Sequence, residues 1–152
     1  MANRPENRFE SRSRARRRAL QALYQWHLTG LDVGEILAQF REEQDFSNVD
    51  TELFATLVRK VSTGQAALDE KLEPFLDRPI NQLDVIEHVI LSIGAYELLN
   101  SLEVPHQVVI DEAINLAKMF GAEQGHSFIN GVLDKAAKQW RDPATALPFN
   151  RA

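Results

Sequence analysis

The sequence predicts an all-α protein, a bundle of six or seven helices with short connections. Apolar residues recur at intervals of three and four over most of the chain, as they do on the buried face of a helix. No segment sustains the alternation of apolar and polar residues that a half-buried strand requires. Glycine and proline divide the periodic segments into lengths typical of helices. At 152 residues, the chain is long enough to bury a core as one domain.

The first three helices are predicted from their start and stop signals. The first runs from about Ser13 to Thr29, where Gly30 ends it. Asp32, with a glutamate three residues on, marks the start of the second. The third begins near Ser47, with Asp50 at the capping-box position and a break or bend at Gly64.

The second half of the chain predicts a central helix surrounded by others. A short helical piece containing Pro74 ends before the segment "DRPIN". Residues 82–99 are apolar around most of the circumference, which is typical of a helix at the centre of a bundle. Only Asp84, His88 and Ser92, spaced four apart, suggest a solvated strip. Pro105 opens the next helix, and the last runs from Ser127 to about residue 140.

Charge is divided unevenly along the chain. The whole protein has a formal net charge of −5, with 17 basic and 22 acidic residues. Residues 1–18 nevertheless hold only two glutamates beside seven arginines, namely Arg4, Arg8, Arg12, Arg14, Arg16, Arg17 and Arg18. A basic arm on an acidic body indicates an arm for polyanions and a body that resists indiscriminate binding to them.

Catalytic and metal-binding patterns are not found in the sequence. There is no cysteine, so disulfides, thiolate metal sites and thiol nucleophiles are excluded. The four histidines lie on separate predicted helices, outside any spaced metal motif. We therefore expect no enzyme activity, no metal and no cofactor. The chain also shows no signal peptide and no apolar run of the ~20 residues that a membrane span needs, so a cytoplasmic protein is expected.

The arginine run favours RNA as the polyanion. Arginines crowded at one terminus repel one another, which a purely structural role would not require. Large apolar residues do not stand opposite them, which disfavours a membrane anchor. No groove-reading DNA motif is present, whereas arginine-rich segments are common RNA ligands. Bases could stack on Tyr24 or Phe128, although each aromatic fits an internal packing role equally well.

Four segments together resemble the NusB family of bacterial transcription antitermination factors. They are "ARRRALQALYQW", "AYELL", "VPHQVVIDEAINLAKMFG" and "FINGVLDKAAK", in this order between residues 11 and 141. The resemblance implies two small helical subdomains and a non-catalytic protein. It also implies binding of single-stranded boxA RNA from ribosomal RNA leader transcripts, jointly with the ribosomal protein NusE, on an elongating RNA polymerase.

The resemblance also implies site residues by matching position. The RNA-binding set comprises Arg12, Arg14, Arg16, Arg17 and Arg18 in the arginine-rich motif, Tyr24 after it, and Gln124 and Phe128 at a later loop and helix start. Glu87 matches a position facing NusE, and Leu91 lies one turn further along the same helix. Gln124 and Gly125 depart from the acidic and small polar residues typical of that loop.

These expectations define three segments and leave two other function classes open. Residues 1–10 are predicted as a disordered basic extension, 11–141 as one NusB-like helical domain, and 142–152 as a flexible tail. A NusB-like domain also begins some RNA methyltransferases, but we expect the chain to end where a catalytic domain would start. An adaptor whose arm meets an acidic protein is the other alternative. Whether the free protein forms a homodimer is left open by the sequence.

Overall fold

The computed structural model describes residues 5–121 and 125–141, with side chains from residue 8 onward, and the fold in these ranges is all-α, as predicted. It contains seven α-helices and two single-turn 3₁₀ helices, and no strand within these ranges. The α-helices are α1 (Pro5–Thr29), α2 (Val33–Glu43), α3 (Thr51–Thr63), α4 (Gln65–Leu72), α5 (Val85–Asn100), α6 (His106–Met119) and α7 (His126–Arg141). The 3₁₀ turns, Glu73–Phe75 and Ile80–Gln82, occur beside Pro74 and Pro79.

The chain divides into two compact units, Met1–Gly64 and Gln65–Ala152. The first contains α1 to α3, and the second contains α4 to α7. The boundary falls at Gly64, the C-cap of α3, where the sequence predicts a break.

The N-terminal unit is built on the contact of α1 with α3, and α2 packs against both. Its core contains Leu20, Leu23, Ile36 and Leu57, all with almost no exposed surface. Phe54 lies between two other rings, with centroid distances of 6.0 Å to Phe40 and 4.9 Å to Phe46. These apolar residues recur at helical spacing, so burial of one face per helix is enough to hold the unit together.

The C-terminal unit is built around α5, which packs against α4, α6 and α7. This confirms the central position predicted from its nearly continuous apolar surface. Asp84 caps the helix by accepting hydrogen bonds from the backbone N–H groups of Ile86 and Glu87. Two glycines that follow helices have left-handed backbone conformations, which favour glycine. They are Gly121 after α6, with φ +86°, and Gly30 after α1, with φ +69°.

Two predicted helix starts differ from the structure. Helix α1 begins at Pro5 rather than near Ser13, in keeping with the preference for proline in the first turn. Helix α3 begins at Thr51 rather than near Ser47. Asp50 itself is the N-cap, and its carboxylate accepts a hydrogen bond from the Leu53 N–H at 3.0 Å.

A local turn explains why residues 45–50 are not helical. The Asp45 carboxylate accepts the Ser47 backbone N–H at 2.9 Å, an arrangement that competes with helix formation. Hydrogen bonds from the Ser47 backbone and side chain lower the pKa of Asp45; desolvation opposes them, and the charge of Arg18 adds a lesser lowering. The Asp50 N–H then donates to the Ser11 carbonyl of α1 at 3.0 Å, which ties this loop to the first helix.

The expected solvated strip of α5 is wrong in one position. Asp84 is exposed, but Ser92 has none of its surface exposed. Its hydroxyl donates to the His88 carbonyl at 2.7 Å and accepts from Gln65 at 2.9 Å, so the polar group is satisfied inside the unit.

The predicted three-segment division stays a prediction. Residues 5–10 belong to α1, whereas residues 1–4 and the whole of the predicted tail, 142–152, lie outside the described residues. Among the described residues, no helix is long and apolar enough to cross a membrane.

Candidate nucleic-acid interface

The arginines of α1 lie along the loop that connects α2 to α3, residues 44–50. Three of them contact this loop, each at a different point. Arg12 Nη1 lies 3.7 Å from Asp50 Oδ2. Arg14 Nη1 lies 3.5 Å from the Asn48 carbonyl oxygen, and Arg18 Nη2 lies 3.3 Å from that of Asp45. These distances exceed the ~2.7–2.9 Å of strong charge-assisted hydrogen bonds, so the loop holds the guanidinium groups loosely.

The first arginines of α1 border an open groove of about 590 Å³ in the N-terminal unit. Arg8 and Arg14 form one side of it, and Asn48, Asp50 and Thr51 belong to the other. Arg8 is exposed, and Arg14 is paired at 3.7 Å with Glu10, one turn earlier on the surface of α1. Exposed pairs of this length contribute little to stability, so an external anion can replace the carboxylate at small cost.

Arg16 differs from its neighbours because it is buried, with 3% of its surface exposed. It lies three and four residues before Ala19 and Leu20, and therefore on the buried face of α1. Arg17, one residue on, is only half-buried. The sequence assigns Arg16 to RNA contact with the other arginines, but in this structure its guanidinium is not available at the surface. Helical phase, which separates residues 16 and 17 by ~100°, is the reason for the difference.

We call Arg8, Arg12, Arg14, Arg17 and Arg18 the basic row. Tyr24 follows it on the same helix and has 37% of its surface exposed, whereas the preceding Leu23 has none. Tyr24 is therefore not a fully buried core residue, and the contact with RNA stays a prediction. A partly exposed phenol ring can accept a stacked base.

In the C-terminal unit, Phe128 is covered by an arginine that the sequence does not single out. The guanidinium carbon of Arg78 lies 4.3 Å from the centroid of the Phe128 ring, a cation–π contact. Asp77 orients the same guanidinium, with Arg78 Nε donating to Asp77 Oδ1 at 2.8 Å. This hydrogen bond raises the pKa of Arg78 and lowers that of Asp77. No linear signal reveals the cluster, because Arg78 and Phe128 are far apart in sequence and "DRPIN" indicates only a turn.

Glu87 lies in the first turn of α5, close enough to Arg78 for its negative charge to help raise the pKa of that arginine. It is half-buried, and its carboxylate lies directly against Gly125. A Cβ atom at residue 125 would collide with that carboxylate, so a larger residue there would require the Glu87 side chain to move. Gln124, the other loop residue assigned to RNA, lies outside the described residues.

Leu91, the second residue assigned to the partner surface, has none of its surface exposed. It belongs to the face of α5 that is buried in the fold. Direct contact of Leu91 with another protein is therefore excluded in this conformation, and its large apolar side chain is explained by core packing.

The polar network around His88 does not form a catalytic arrangement. His88 Nε2 lies 2.7 Å from Asp69 Oδ1, and Gln65 Nε2 donates to the same carboxylate at 2.8 Å. Ser92 is buried and donates its hydroxyl proton to a backbone carbonyl, so it has no arrangement for attack on a substrate. In the described parts of the chain, no group of three or more histidine, aspartate and glutamate side chains is arranged to hold a metal ion.

Comparison with known sequences gives one family. The model of the NusB family matches residues 13–138. A transcription antitermination protein NusB of Xanthomonas oryzae pv. oryzae (strain PXO99A) is 51% identical over 130 residues, which cover 86% of this chain and 83% of the relative. The NusB of Xanthomonas axonopodis pv. citri (strain 306) is 50% identical over 130 residues, covering 86% of this chain and 82% of the relative.

Two solved structures have the same fold. Thermotoga maritima NusB is 29% identical with a TM-score of 0.76, and the match covers 88% of this chain and 94% of that one. A complex of the antitermination factors NusB and NusE with dsRNA contains a chain that is 28% identical with a TM-score of 0.77, covering 90% of this chain and all of that one.

Proposed function

The chain belongs to the NusB family, and on that premise we propose that it is an RNA-binding transcription antitermination factor. It binds boxA-type single-stranded RNA of ribosomal RNA leader transcripts together with the ribosomal protein NusE. The complex then assists processive elongation by RNA polymerase. In this proposal the protein is cytoplasmic and non-catalytic, and it acts only by binding.

The observation that carries the proposal is the loose attachment of the basic row. Arg12, Arg14 and Arg18 reach loop oxygens at 3.3 to 3.7 Å, while Arg8 is exposed. RNA phosphates can take over these guanidinium groups without breaking any strong internal hydrogen bond. The similarity to a NusB solved with NusE and RNA supports the same interpretation.

The binding mechanism has an electrostatic part and a stacking part. If about four arginines meet phosphates of a single strand, the slope of log affinity against log salt is roughly −3. A threefold rise in salt then weakens binding by roughly 20–30-fold. This part does not distinguish sequences, because phosphates are alike everywhere. Base stacking on Tyr24 and contacts from the region of Gln124 and Phe128 add affinity, but stacking tolerates any base. The sequence preference comes from the shaped surface beside the basic row, completed by the partner.

The partner surface is reduced to Glu87 in this proposal. Its half-buried carboxylate lies beside Gly125 and can accept a hydrogen bond from a basic protein such as a ribosomal protein. Leu91 packs α5 into the core and so supports this surface, but it does not contact the partner protein itself.

The family fold also begins some RNA methyltransferases, and an arginine-rich arm can also meet an acidic protein. Neither alternative is favoured by a particular contact in the described residues. RNA binding in the absence of any protein partner separates the proposal from the acidic-partner alternative.

A fluorescence-anisotropy titration tests the proposal. Labelled boxA-like RNA, a scrambled strand of equal length and a duplex of the boxA-like strand are each titrated with the protein, with and without NusE. We expect the boxA-like single strand to bind most tightly and NusE to tighten it further. Equal, weak binding to all three, with no effect of NusE, would contradict the proposed function.

A further inference from the structure

Arg78 is the central residue of a small cluster whose geometry the proposed contacts do not use. Its guanidinium lies 4.3 Å above the Phe128 ring, and 38% of the Arg78 side chain is exposed. The Phe128 ring therefore backs the guanidinium on one side, while the Arg78 side chain still reaches the surface. Arg78 thus lies between a ring of the protein and the solvent.

Asp77 fixes the orientation of this guanidinium. It accepts from Arg78 Nε at 2.8 Å and from Arg78 Nη2 at 3.5 Å, so one edge of the planar group is occupied. These two contacts along one edge restrict rotation of the guanidinium within its own plane. The Phe128 ring beneath restricts tilting of the guanidinium out of that plane. The result is a flat surface that is positioned before any ligand arrives.

The charges around Arg78 disfavour a phosphate as its ligand. Asp77 neutralises the guanidinium directly, and Glu87 acts on it from α5. A phosphate approaching Arg78 would meet two carboxylates as well as one cation. A nucleobase carries no charge and can use the flat face, since unpaired bases stack readily on arginine planes.

We infer that Arg78, backed by Phe128 and oriented by Asp77, is a stacking platform for one unpaired base of the bound RNA. This inference rests on the proposed function and assigns a second kind of contact to it. The basic row binds phosphates and makes the RNA affinity depend on salt. The Arg78 platform binds a base and adds no salt dependence. Phe128 is then the support of the platform rather than the surface that the base touches.

The decisive variant is Arg78→Lys, which keeps the positive charge and removes the plane. Its matched control is Arg59→Lys, the same chemical change at an exposed position of α3 with no aromatic contact among the described residues. A second variant, Phe128→Leu, keeps an apolar side chain and removes the ring beneath the guanidinium. Thermal melting of each variant monitors folding.

The measurement uses boxA-like strands that carry the fluorescent base 2-aminopurine at one position at a time, bound to the full chain with NusE. Stacking on neighbouring bases of the strand quenches 2-aminopurine, so the base brightens when it leaves them to stack on a guanidinium. We expect one position that brightens on binding to the wild type and to Arg59→Lys, and that brightens much less with Arg78→Lys and with Phe128→Leu. Affinity should fall by roughly fivefold or more in Arg78→Lys, with an unchanged salt slope.

Three results would overturn the inference. Unchanged brightening at every position in a folded Arg78→Lys, or in a folded Phe128→Leu if the first variant fails to fold, removes the platform and leaves the proposed function intact. A salt slope that becomes shallower by ~0.7 in a charge-removing Arg78→Gln, without loss of the brightening, identifies a phosphate contact instead. If the wild type shows no preference for boxA-like RNA, the proposed function and this inference are both contradicted.

Discussion

Two sets of arginines in this protein have opposite surroundings. Arg141, at the end of α7, donates to four backbone carbonyls of Glu97, Leu98, Ser101 and Val104 at 2.6 to 3.1 Å. Three arginines of the basic row reach the 44–50 loop at 3.3 to 3.7 Å. Arg141 donates to carbonyls at and just beyond the C-terminal end of α5, where backbone carbonyls run short of partners within the helix. Two of them, Glu97 and Ser101, also accept a backbone N–H at 2.9 Å. Burial lowers the pKa of Arg141, with nearby Glu103 and Glu97 opposing that effect.

The difference shows how to separate structural from ligand-binding arginines. Composition does not separate them, since every arginine has the same five donors. The number and length of the internal hydrogen bonds do. An arginine whose donors are used at short distance holds the fold, and one that is held loosely at the surface remains available to RNA.

The largest expected effect follows removal of the best-bonded arginine. Arg141→Met keeps much of the apolar stem and removes four charge-assisted hydrogen bonds, although the Glu97 and Ser101 carbonyls keep a backbone N–H donor. We expect the free energy of unfolding to fall by about 2–5 kcal/mol. Urea denaturation followed by circular dichroism measures this. The control Arg59→Met, at an exposed position, should change it by no more than ~0.5 kcal/mol. Equal stability of the two variants would contradict a structural role for Arg141.

Arg16 is expected to resemble Arg141 more than its neighbours. Because it is buried, Arg16→Met should lower the free energy of unfolding by about 1–3 kcal/mol. RNA affinity, measured under conditions where the variant is folded, should change less than in Arg14→Gln. A variant of full stability that has lost RNA binding would instead restore the direct role that the sequence predicts for Arg16.

Arg14 represents the loosely held set. Arg14→Gln removes one phosphate contact, so the log–log salt slope should become less steep by ~0.7, with roughly fivefold weaker binding at 0.1 M salt. Anisotropy titrations at several salt concentrations measure both quantities. Its stability should remain within ~0.5 kcal/mol of the wild type, because an exposed ion pair contributes little. A large loss of stability would show that the long contacts to Glu10 and Asn48 matter more than their lengths indicate.

The smallest effect has the opposite sign. Asp50→Asn removes the carboxylate opposite Arg12 but keeps a good N-cap for α3, because asparagine caps helices as well as aspartate does. We expect RNA binding to tighten by about 2–5-fold with little change in stability. Asp32→Asn is the matched control, since Asp32 caps α2 through the Gly34 N–H and has no ion pair with an arginine among the described residues. Tightening in both variants would point to overall charge rather than to release of Arg12.

Local signals in the sequence were sufficient for most helix boundaries. Gly30, Gly64 and Gly121 each end or follow a helix as predicted, and Asp32 and Pro105 each precede one. The predicted centre of the C-terminal unit is also confirmed, because a helix that is apolar all round has no other stable place. These features depend on residues close in sequence, which is why a single sequence reveals them.

Contacts between distant segments account for the differences. The start of α3 moves to Thr51 because the 45–50 loop forms a turn and bonds to Ser11. The Arg78–Phe128 contact joins segments that no periodic pattern relates. Burial of Arg16 depends on where the core lies around α1, and the uniform arginine run gives no indication of which member faces inward.

The most direct test of the account compares salt dependence in the wild type and in a variant with Arg8→Gln, Arg12→Gln and Arg14→Gln combined. We expect the wild type to bind boxA-like RNA with a log–log salt slope of roughly −3, and the triple variant with a slope of roughly −1, since three phosphate contacts are lost. The melting temperatures of the two proteins should be similar. A triple variant that keeps both the slope and the affinity of the wild type would contradict the central claim that the loosely held arginines of α1 bind RNA.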